Sequence, residues 1–303
     1  MEEVKFRSGF VTLIGRPNVG KSTLVNLLLG QKIAAVSPRP QMTRRRQLGI
    51  VTTDDYQIIF MDTPGIHHGK DKLDAYMNST AIETVLDADL VVWIVDASVN
   101  PHKEDYMVAE EFSRLPRVPD VLMLLNKIDL LSKTELTQRQ ELYLELFPSA
   151  ELCGISALKG ENKETFLDLV VSHLPEGPPY YDPEQVTDLY EKEIASDLIR
   201  QSCLNMLRDE IPHGIAVRID EYAEREDGMN YIHATILVER ESHKGIVIGK
   251  GAKMLKRIGT YARSEIEEMI GQKIYLDLNV KTNKKWRNKP EVLIHLGYST
   301  KRR

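Results

Sequence analysis

Eight residues near the amino terminus have the composition and spacing of a loop that binds phosphate. The run from Gly15 to Ser22 reads GRPNVGKS, and it lies between an apolar stretch and a helical pattern. In such a loop, backbone N–H groups and the helix N-terminus point at phosphate oxygens. We expect Lys21 to reach the β- and γ-phosphates and Ser22 to bind Mg²⁺. The predicted nucleotide-binding residues are Gly15, Arg16, Pro17, Asn18, Val19, Gly20, Lys21, Ser22 and Thr23.

A second motif, DTPG, ends an apolar stretch and is suited to sense the γ-phosphate. Its carboxylate, Asp62, can contact Mg²⁺ through water, and the N–H of Gly65 can meet the γ-phosphate. The residues assigned to this contact are Asp62, Thr63, Pro64, Gly65 and Ile66.

Two further motifs favour guanine over adenine as the base. Asp129, in the run NKID, can accept from two donors that guanine has and adenine lacks, and a backbone N–H in the run SAL can contact guanine O6. Each motif is weak alone, but each follows a predicted strand at the sheet edge where open α/β sheets bind ligands. The residues assigned to the base are Asn126, Lys127, Asp129, Ser156, Ala157 and Leu158.

The amino-terminal half resembles the translation-factor-like class of GTPases. The resemblance implies that Thr43 is the switch threonine that reaches Mg²⁺ and the γ-phosphate. Many GTPases have a glutamine after the Asp-x-x-Gly motif to orient the attacking water, but this chain has Ile66, so we expect slow hydrolysis. His67 and His68 follow, and we interpret them as solvated loop residues. The resemblance assigns catalysis to Lys21, Thr43, Asp62 and Gly65, Mg²⁺ binding to Ser22, Thr43 and Asp62, and potassium binding to Asn18.

A second glycine-rich loop, GKGA at residues 249–252, lacks the length and the hydroxyl of a nucleotide loop. It resembles the Gly-x-x-Gly loop of KH domains, which clamps a nucleic-acid backbone between two short helices. Ala252 departs from that pattern, and a positive φ there costs about 1 kcal/mol. The expected groove floor is Ile246, Val247, Ile248 and Leu255, and Trp286 is expected to offer a stacking face. The predicted RNA-binding residues are Ile246, Ile248, Gly249, Lys250, Gly251, Ala252, Lys253, Lys256, Arg257, Lys281, Lys284, Lys285, Trp286 and Arg287.

The order of the predicted elements indicates two domains. Short β-branched runs alternate with helical patterns in the first half, which predicts a mostly parallel sheet flanked by helices. After a proline-rich stretch, a helix over 187–208, capped by Thr187, precedes two strands, two helices around the glycine loop, and a strand. The predicted divisions are an α/β P-loop NTPase domain over 1–175, a linker over 176–186, and an α+β type II KH domain within 187–303, with its core at about 201–282.

Charge is distributed unevenly along the chain. Residues 240–303 contain 16 Lys and Arg against 6 Asp and Glu, a net +10, so residues 1–239 carry −15 in a chain of net −5. The carboxyl-terminal segment is therefore suited to an anionic partner.

Cys153 and Cys203 match no metal-ligand spacing, and we interpret them as buried thiols in a reducing compartment. No apolar run approaches the roughly 20 residues of a membrane-spanning helix, so we expect a cytosolic protein without a transmembrane segment.

Taken together, both halves and the linker resemble the Era family of bacterial GTPases. The segments that carry the resemblance are GRPNVGKSTL, QMTRRR, DTPGI, NKID, SAL, PPYYDPEQVTD and SHKGIVIGKGAKMLKRIGTYAR. The resemblance implies GTP, GDP and Mg²⁺ as ligands, binding to the 3′ end of small-subunit (16S) ribosomal RNA, a role in assembly of the 30S particle, and peripheral association with the inner membrane. Two alternatives stay open: a metabolic P-loop kinase, and a membrane-associated signalling GTPase whose basic segment binds anionic lipid instead of RNA.

Overall fold

The computed structural model describes residues 5–37, 39, 41–225 and 229–298, and the chain divides into two compact units. Unit 1 contains the chain up to Gln31 together with Thr43–Lys70 and Asp74–Asp188. Unit 2 contains Lys32–Met42, Asp71–Leu73 and the chain from Leu189 onward. Two short segments of the amino-terminal half therefore belong to unit 2.

Unit 1 is built on a sheet of six strands within the described ranges. They are β1 (Arg7–Ile14), β2 (Gln47–Thr52), β3 (Tyr56–Asp62), β4 (Leu90–Asp96), β5 (Asp120–Asn126) and β6 (Glu151–Ile155). Their order is β2-β3-β1-β4-β5-β6, and every neighbouring pair is parallel except the β2–β3 hairpin. Strand β4 is buried along its whole length, as expected for a parallel strand covered on both faces. The predicted mostly parallel sheet is confirmed.

The helices between these strands supply much of the core of unit 1. They are α1 (Lys21–Leu29), α2 (Lys72–Leu86), α3 (Lys103–Arg114), α4 (Lys133–Leu144) and α5 (Lys163–His173). One buried cluster joins Trp93 of β4 to Ala81 of α2, Phe112 of α3 and Tyr143 of α4. The rings of Trp93 and Phe112 meet edge to face, with their centroids 5.4 Å apart. This packing fixes the carboxyl ends of the central strands, from which the predicted nucleotide loops emerge.

The proline-rich linker packs as part of unit 1. Gln57 of β3 is fully buried, and its side-chain oxygen accepts from the N–H groups of Tyr180 and Tyr181. Its side-chain nitrogen donates to the Tyr181 carbonyl. Farther along, the Leu48 N–H of β2 donates to the Asp188 carboxylate at 2.9 Å. The linker therefore follows the β2–β3 hairpin, and the division between the units comes after Asp188.

Unit 2 contains a three-stranded sheet within the described residues. Its elements are α6 (Glu191–Met206), β7 (Ala216–Glu224), β8 (Asn230–Val238), α7 (Glu241–Ile248), α8 (Lys253–Ile270), β9 (Ile274–Thr282) and α9 (Pro290–His295). The strand order is β7-β8-β9, with β7 antiparallel and β9 parallel to β8. The predicted order from helix α6 to strand β9 is confirmed. Helix α9 is an addition that the sequence pattern does not predict.

Helix α6 begins later than the sequence pattern predicts. The helix starts at Glu191, after Tyr190, whose N–H donates to the Glu193 carboxylate at 3.0 Å. Thr187 is not the cap, so that prediction is wrong. The physical reason is partly local and partly tertiary: the Gln185 side chain donates to the nearby Thr187 carbonyl, and Asp188 accepts from β2, which holds this stretch in the linker.

Both cysteines, Cys153 and Cys203, are unpaired and buried. Burial raises the pKa of Cys153 to about 11 and that of Cys203 to about 12. Both thiols are therefore protonated at neutral pH and unsuited to bind metal. Among the helices of the described residues, none has the length and apolar character needed to cross a membrane.

Candidate functional site

The phosphate loop connects the end of β1 to the start of α1, as predicted. Lys21 is 6% exposed, and its Nζ donates to the carbonyl oxygens of Gly15 and Arg16, each at 3.0 Å. Burial lowers the pKa of Lys21 to about 8, against the opposing effect of the Asp62 carboxylate. The loop thus encloses a buried amine whose charged form a phosphate would stabilise. Asn18 is exposed on this loop with a φ of 65°.

The Asp62 carboxylate is the point where the predicted Mg²⁺ ligands meet. Its Oδ2 accepts from Ser22 Oγ at 3.0 Å, Thr43 Oγ1 at 3.1 Å and Gln47 Nε2 at 2.9 Å. Its Oδ1 is buried and has no hydrogen-bond partner among the residues that the structure describes. Burial raises the pKa of Asp62, while the charge of Lys21 and the three hydrogen bonds oppose that rise.

These residues fit a magnesium ion. Two hydroxyls and a carboxylate are hard oxygen ligands, and the unpartnered Oδ1 of Asp62 can accept from a metal-bound water. The described part of the chain has no group of three or more His, Cys, Asp or Glu that could hold a metal. That agrees with Mg²⁺, which usually takes one or two carboxylates and completes its shell with water and phosphate. The structure brings together Ser22, Thr43 and Asp62 and adds Gln47, which no sequence motif identifies.

The predicted base-binding loops are joined to each other and to the phosphate loop. Asn126 Nδ2 donates to the Val19 carbonyl at 2.7 Å, and Asn126 Oδ1 accepts from the Ala157 N–H at 2.9 Å. A hydrogen bond from Ser156 is the main cause that holds the pKa of Asp129 below its ordinary value. The Asp129 carboxylate is thus kept ionised, as an acceptor for two guanine donors must be. One side chain, Asn126, connects three of the predicted loops.

Two carboxylates outside the motifs hold basic residues of this site. Lys127 Nζ donates to Asp96 Oδ2 at 2.6 Å, and Arg16 Nε donates to Asp105 Oδ2 at 3.2 Å. Asp105 is buried in the first turn of α3, where it also accepts from the N–H of His102. Motif reasoning misses both acids. The available signal for Asp105 is its place three residues after the helix cap, where an acid commonly binds back to the backbone.

The residues after Asp62 approach the phosphate loop closely. A Cβ added to Gly65 would lie 2.7 Å from a backbone nitrogen of that loop, and Ile66 is buried in the core. His67 is 9% exposed, with Nδ1 2.7 Å from the Gly65 carbonyl and Nε2 3.0 Å from Asp74 Oδ1. The interpretation of His67 as a solvated residue is wrong, because its ring bridges Gly65 and α2. His68 is exposed, as expected.

The glycine loop of unit 2 joins α7 to α8 through two left-handed residues. Gly251 has a φ of 58° and Ala252 a φ of 59°. Ala252 therefore adopts the positive φ and bears the steric penalty expected for that conformation. A Cβ on Gly251 would meet no atom within 4 Å, so glycine is favoured there by backbone conformation and not by space.

A groove of about 350 Å³ lies beside this loop, between α8 and the edge strand β9. It is lined by Ala252, Leu255, Lys256, Gly259, Thr260, Arg263, Leu276 and Leu278. The leucines provide an apolar floor for base faces, and Lys256 and Arg263 add positive charge. Because β9 is an edge strand, its outward backbone groups can also hydrogen-bond to base edges.

Two predictions about the RNA-binding surface are wrong. Trp286 is fully buried, and its Nε1 donates to the Gly214 carbonyl at 2.8 Å, so its ring has no free stacking face. Val247 is equally buried and offers no surface to the groove floor. Leu255 lines the groove as predicted, together with two leucines of β9, and the contact of Ile246 and Ile248 with RNA stays a prediction.

Most of the predicted basic residues are exposed, and Lys256 lines the groove. The exposed ones are Lys250, Lys253, Lys256, Arg257, Lys281, Lys284 and Lys285. Arg287 differs, because it pairs with Asp71 at 2.9 Å and with Glu239 at 2.8 Å. We therefore interpret Arg287 as a residue that holds unit 2 together.

Two family models match the chain. One is described as a 50S ribosome-binding GTPase and matches residues 10–127, and the other is described as a KH domain and matches residues 210–287. The GTPase Era of Clostridium kluyveri (strain ATCC 8527) is 45% identical over 292 residues, which cover 96% of this chain and 99% of the relative. The GTPase Era of Geotalea uraniireducens (strain Rf4) is 43% identical over 298 residues, which cover 98% and 100%.

Two solved structures are similar over almost the whole chain. One is Era in complex with MgGDPNP and nucleotides 1506–1542 of 16S ribosomal RNA, with a TM-score of 0.92, 36% identity, and coverage of 97% of this chain and 99% of that one. The other is a single-residue variant of Era from Aquifex aeolicus bound to GDP·AlF4−, with the same TM-score, identity and coverage.

Proposed function

The chain belongs to the Era family of GTPases, and from this premise we propose that it is a GTP-dependent switch that binds the 3′ end of small-subunit ribosomal RNA during assembly of the 30S particle. The observation that carries the RNA half is the apolar, basic-rimmed groove beside the glycine loop of unit 2. The Era structure in complex with nucleotides 1506–1542 of 16S ribosomal RNA supports this choice of ligand.

The nucleotide site suggests a role for each of its polar groups. Lys21 moves its donors from the loop carbonyls to the β- and γ-phosphates, whose charge keeps it protonated. Ser22 and Thr43 provide hydroxyls to Mg²⁺, and Asp62 orients a metal-bound water through its unpartnered Oδ1. Mg²⁺, when bound, neutralises charge that builds on the phosphates. Asp129 accepts from guanine and so excludes adenine.

Hydrolysis is slow in this proposal because Ile66 is buried and provides no polar group to the attacking water. Asn18 lies exposed on the phosphate loop, where its side chain can help to hold a potassium ion beside the phosphates. The test is the single-turnover rate in potassium and sodium buffers of equal ionic strength. A higher rate in potassium that is lost in Asn18→Ala, which removes the side-chain oxygen, supports this role, and equal rates in the two buffers contradict it.

The RNA site combines an apolar floor with backbone-directed charge. Bases rest on Leu255, Leu276 and Leu278, while lysines on the loop and on α8 contact phosphates. Sequence preference then comes from hydrogen bonds between base edges and the open side of β9. This arrangement favours single-stranded RNA, because paired bases present no face to the floor.

A matched pair of charge reversals tests the RNA site. Lys256 lines the groove, whereas Lys273 follows α8, is 83% exposed and pairs with Glu267 outside the groove lining. We expect Lys256→Glu to weaken binding of a 16S 3′-end oligonucleotide about tenfold at fixed salt, and Lys273→Glu to weaken it less than about twofold. Equal losses would mean that charge alone attracts RNA and that the groove is not the site.

The switch itself requires that the nucleotide state changes access to RNA. In this proposal, GTP orders the segments around Thr43 and Gly65. Their ordering then alters the adjoining chain segments Lys32–Met42 and Asp71–Leu73, which belong to unit 2. Linkage then demands that RNA favour the GTP state by the same factor by which GTP favours RNA.

A peripheral contact with the anionic inner-membrane surface is a second candidate function. The observation that favours it is the net +10 charge of residues 240–303, which does not distinguish phospholipid from RNA. The membrane reading requires that vesicles rich in anionic lipid compete with the RNA oligonucleotide for the protein at low salt. Binding to RNA in the presence of excess vesicles would reject it.

The unpaired thiols agree with a cytoplasmic location, which we include in the proposal.

A further inference from the structure

Arg200, in the middle of α6, is a buried charged residue that the RNA and nucleotide sites leave unexplained. It is 1% exposed. Its guanidinium donates to two backbone carbonyls, that of Gln41 at 3.1 Å and that of Met42. The Asp197 carboxylate lies 3.8 Å away, one turn earlier on the helix. Burying a guanidinium is costly unless its donors are used, so these contacts are strongly favoured once it is buried.

The segment that Arg200 contacts belongs to unit 2 and is bound to the same helix at other points. The Val36 N–H donates to Gln201 Oε1 at 2.8 Å, and Ser37 Oγ donates to Asn205 Oδ1 at 2.9 Å. Gln201 and Asn205 are four residues apart, so they lie on one face of α6 beside Arg200. Helix α6 therefore holds this segment at Val36 and Ser37 as well as at Gln41 and Met42.

The end of this segment is strained where Arg200 binds it. Gln41 has a φ of 65°, a left-handed conformation that a residue with a side chain rarely adopts. Such conformations persist when surrounding contacts enforce them. The guanidinium is one such contact, because it holds the carbonyls of Gln41 and Met42, which belong to the two successive peptide groups that flank Met42. The following residue is Thr43, whose Oγ1 lies 3.0 Å from Ser22 Oγ and 3.1 Å from Asp62 Oδ2.

We propose that Arg200 is a positioning residue for the GTP state: it maintains the left-handed turn at Gln41 and so keeps the Thr43 hydroxyl at the Ser22–Asp62 site. This inference rests on the proposed use of Thr43 for Mg²⁺ and the γ-phosphate. GDP has no γ-phosphate and makes little use of Thr43, so the contribution of Arg200 is confined to GTP.

The test compares affinities for Mg·GDPNP and Mg·GDP in full-length protein. Arg200→Met keeps an unbranched apolar side chain in place of the arginine stem and removes the guanidinium donors. We expect this variant to bind GDPNP roughly tenfold more weakly, the effect of losing charged hydrogen bonds, and to bind GDP within about twofold of the wild type. Arg218→Met is the control, since Arg218 is a partly exposed arginine of unit 2 that pairs with Asp220. It should leave both affinities unchanged.

A rescue variant separates positioning from a general loss of structure. Gln41→Gly makes the left-handed turn accessible without an enforcing contact. Added to Arg200→Met, it should restore at least half of the lost discrimination between GDPNP and GDP. If Arg200→Met does not fold, Arg200→Lys is measured instead, with a loss of about threefold expected because one ammonium cannot hold both carbonyls in the same way.

The outcomes are distinct. A loss confined to GDPNP that Gln41→Gly rescues supports the inference. Equal losses for both nucleotides, or no loss despite a lower unfolding midpoint, would overturn it and make Arg200 a purely structural residue. Failure of the proposed function would be detected in the wild-type measurements, because the wild-type protein would then show no preference for guanine nucleotides.

Discussion

Replacing Ala252 with glycine should stabilise unit 2, although the substitution removes a methyl group. Ala252 has a φ of 59° and a ψ of 17°, which is the left-handed helical region. An L-residue with a side chain pays about 1–2 kcal/mol there. Glycine avoids this penalty but loses about 0.4–1 kcal/mol through the greater freedom of the unfolded chain. The difference predicts that the free energy of unfolding rises by about 0.5–1 kcal/mol.

The neighbouring residue offers a matched control with the opposite sign. Gly251 has nearly the same φ, 58°, and an added Cβ there would meet no atom within 4 Å. Gly251→Ala therefore introduces the same backbone penalty without a clash, and should destabilise unit 2 by about 0.5–1 kcal/mol. The double variant, with the two residue types exchanged, should return close to the wild-type stability.

Urea unfolding followed by tryptophan fluorescence measures these changes, because Trp286 is buried in unit 2 and Trp93 in unit 1. A Trp93→Phe background isolates the signal of unit 2. A lower free energy of unfolding for Ala252→Gly would refute the argument from backbone strain. The same holds if the double variant is destabilised as much as Gly251→Ala alone. The RNA affinity of Ala252→Gly should change less than about threefold. The turn is the same in the free and the RNA-bound loop, so its strain contributes equally to both states.

Three further predictions follow from unit 1. Gln57→Leu leaves the N–H groups of two linker tyrosines without their acceptor and should lower the free energy of unfolding by about 3 kcal/mol in urea titrations. Gln47→Met removes a donor to Asp62 Oδ2 and should raise the Mg²⁺ concentration needed for tight GDP binding roughly tenfold, while GDP binding in EDTA stays unchanged. Lys21 has a pKa of about 8 in the folded protein against 10.5 in the unfolded chain, so between these pH values the unfolded state binds more protons. The free energy of unfolding of the nucleotide-free protein should therefore rise with pH over this range, by up to about 3 kcal/mol. Lys21→Met should lack this rise when melting is measured as a function of pH.

Much of the nucleotide site was predictable because its residues are placed by topology. Each loop follows a strand of a parallel sheet, so the carboxyl ends of those strands bring the loops to one edge. The spacing around Lys21 and the acid at Asp62 could therefore be assigned before any contact was known. The glycine loop of unit 2 was equally predictable, because its glycines and the flanking helical patterns are local signals.

What the sequence did not reveal depends on contacts between distant segments. Trp286 lies in a basic run that resembles an exposed RNA-binding strand, but it is buried because its indole packs into unit 2 and donates to Gly214. Gln47 donates to Asp62 across the β2–β3 pair, Arg200 donates to the carbonyls of Gln41 and Met42 from α6, and neither residue belongs to a motif. Helix α6 begins at Glu191 because Asp188 accepts a hydrogen bond from β2, which holds the preceding residues in the linker. Local propensity cannot report any of these.

The central claim, that the nucleotide state controls RNA binding, is tested most directly by one thermodynamic measurement. The affinity of the full-length protein for a single-stranded 16S 3′-end oligonucleotide is measured by titration at fixed salt, once with Mg·GDPNP and once with Mg·GDP saturating the site. We expect the oligonucleotide to bind at least about fivefold more tightly with GDPNP than with GDP. We also expect bound RNA to raise the affinity for GDPNP relative to GDP by the same factor. Equal RNA affinities in the two nucleotide states would contradict it.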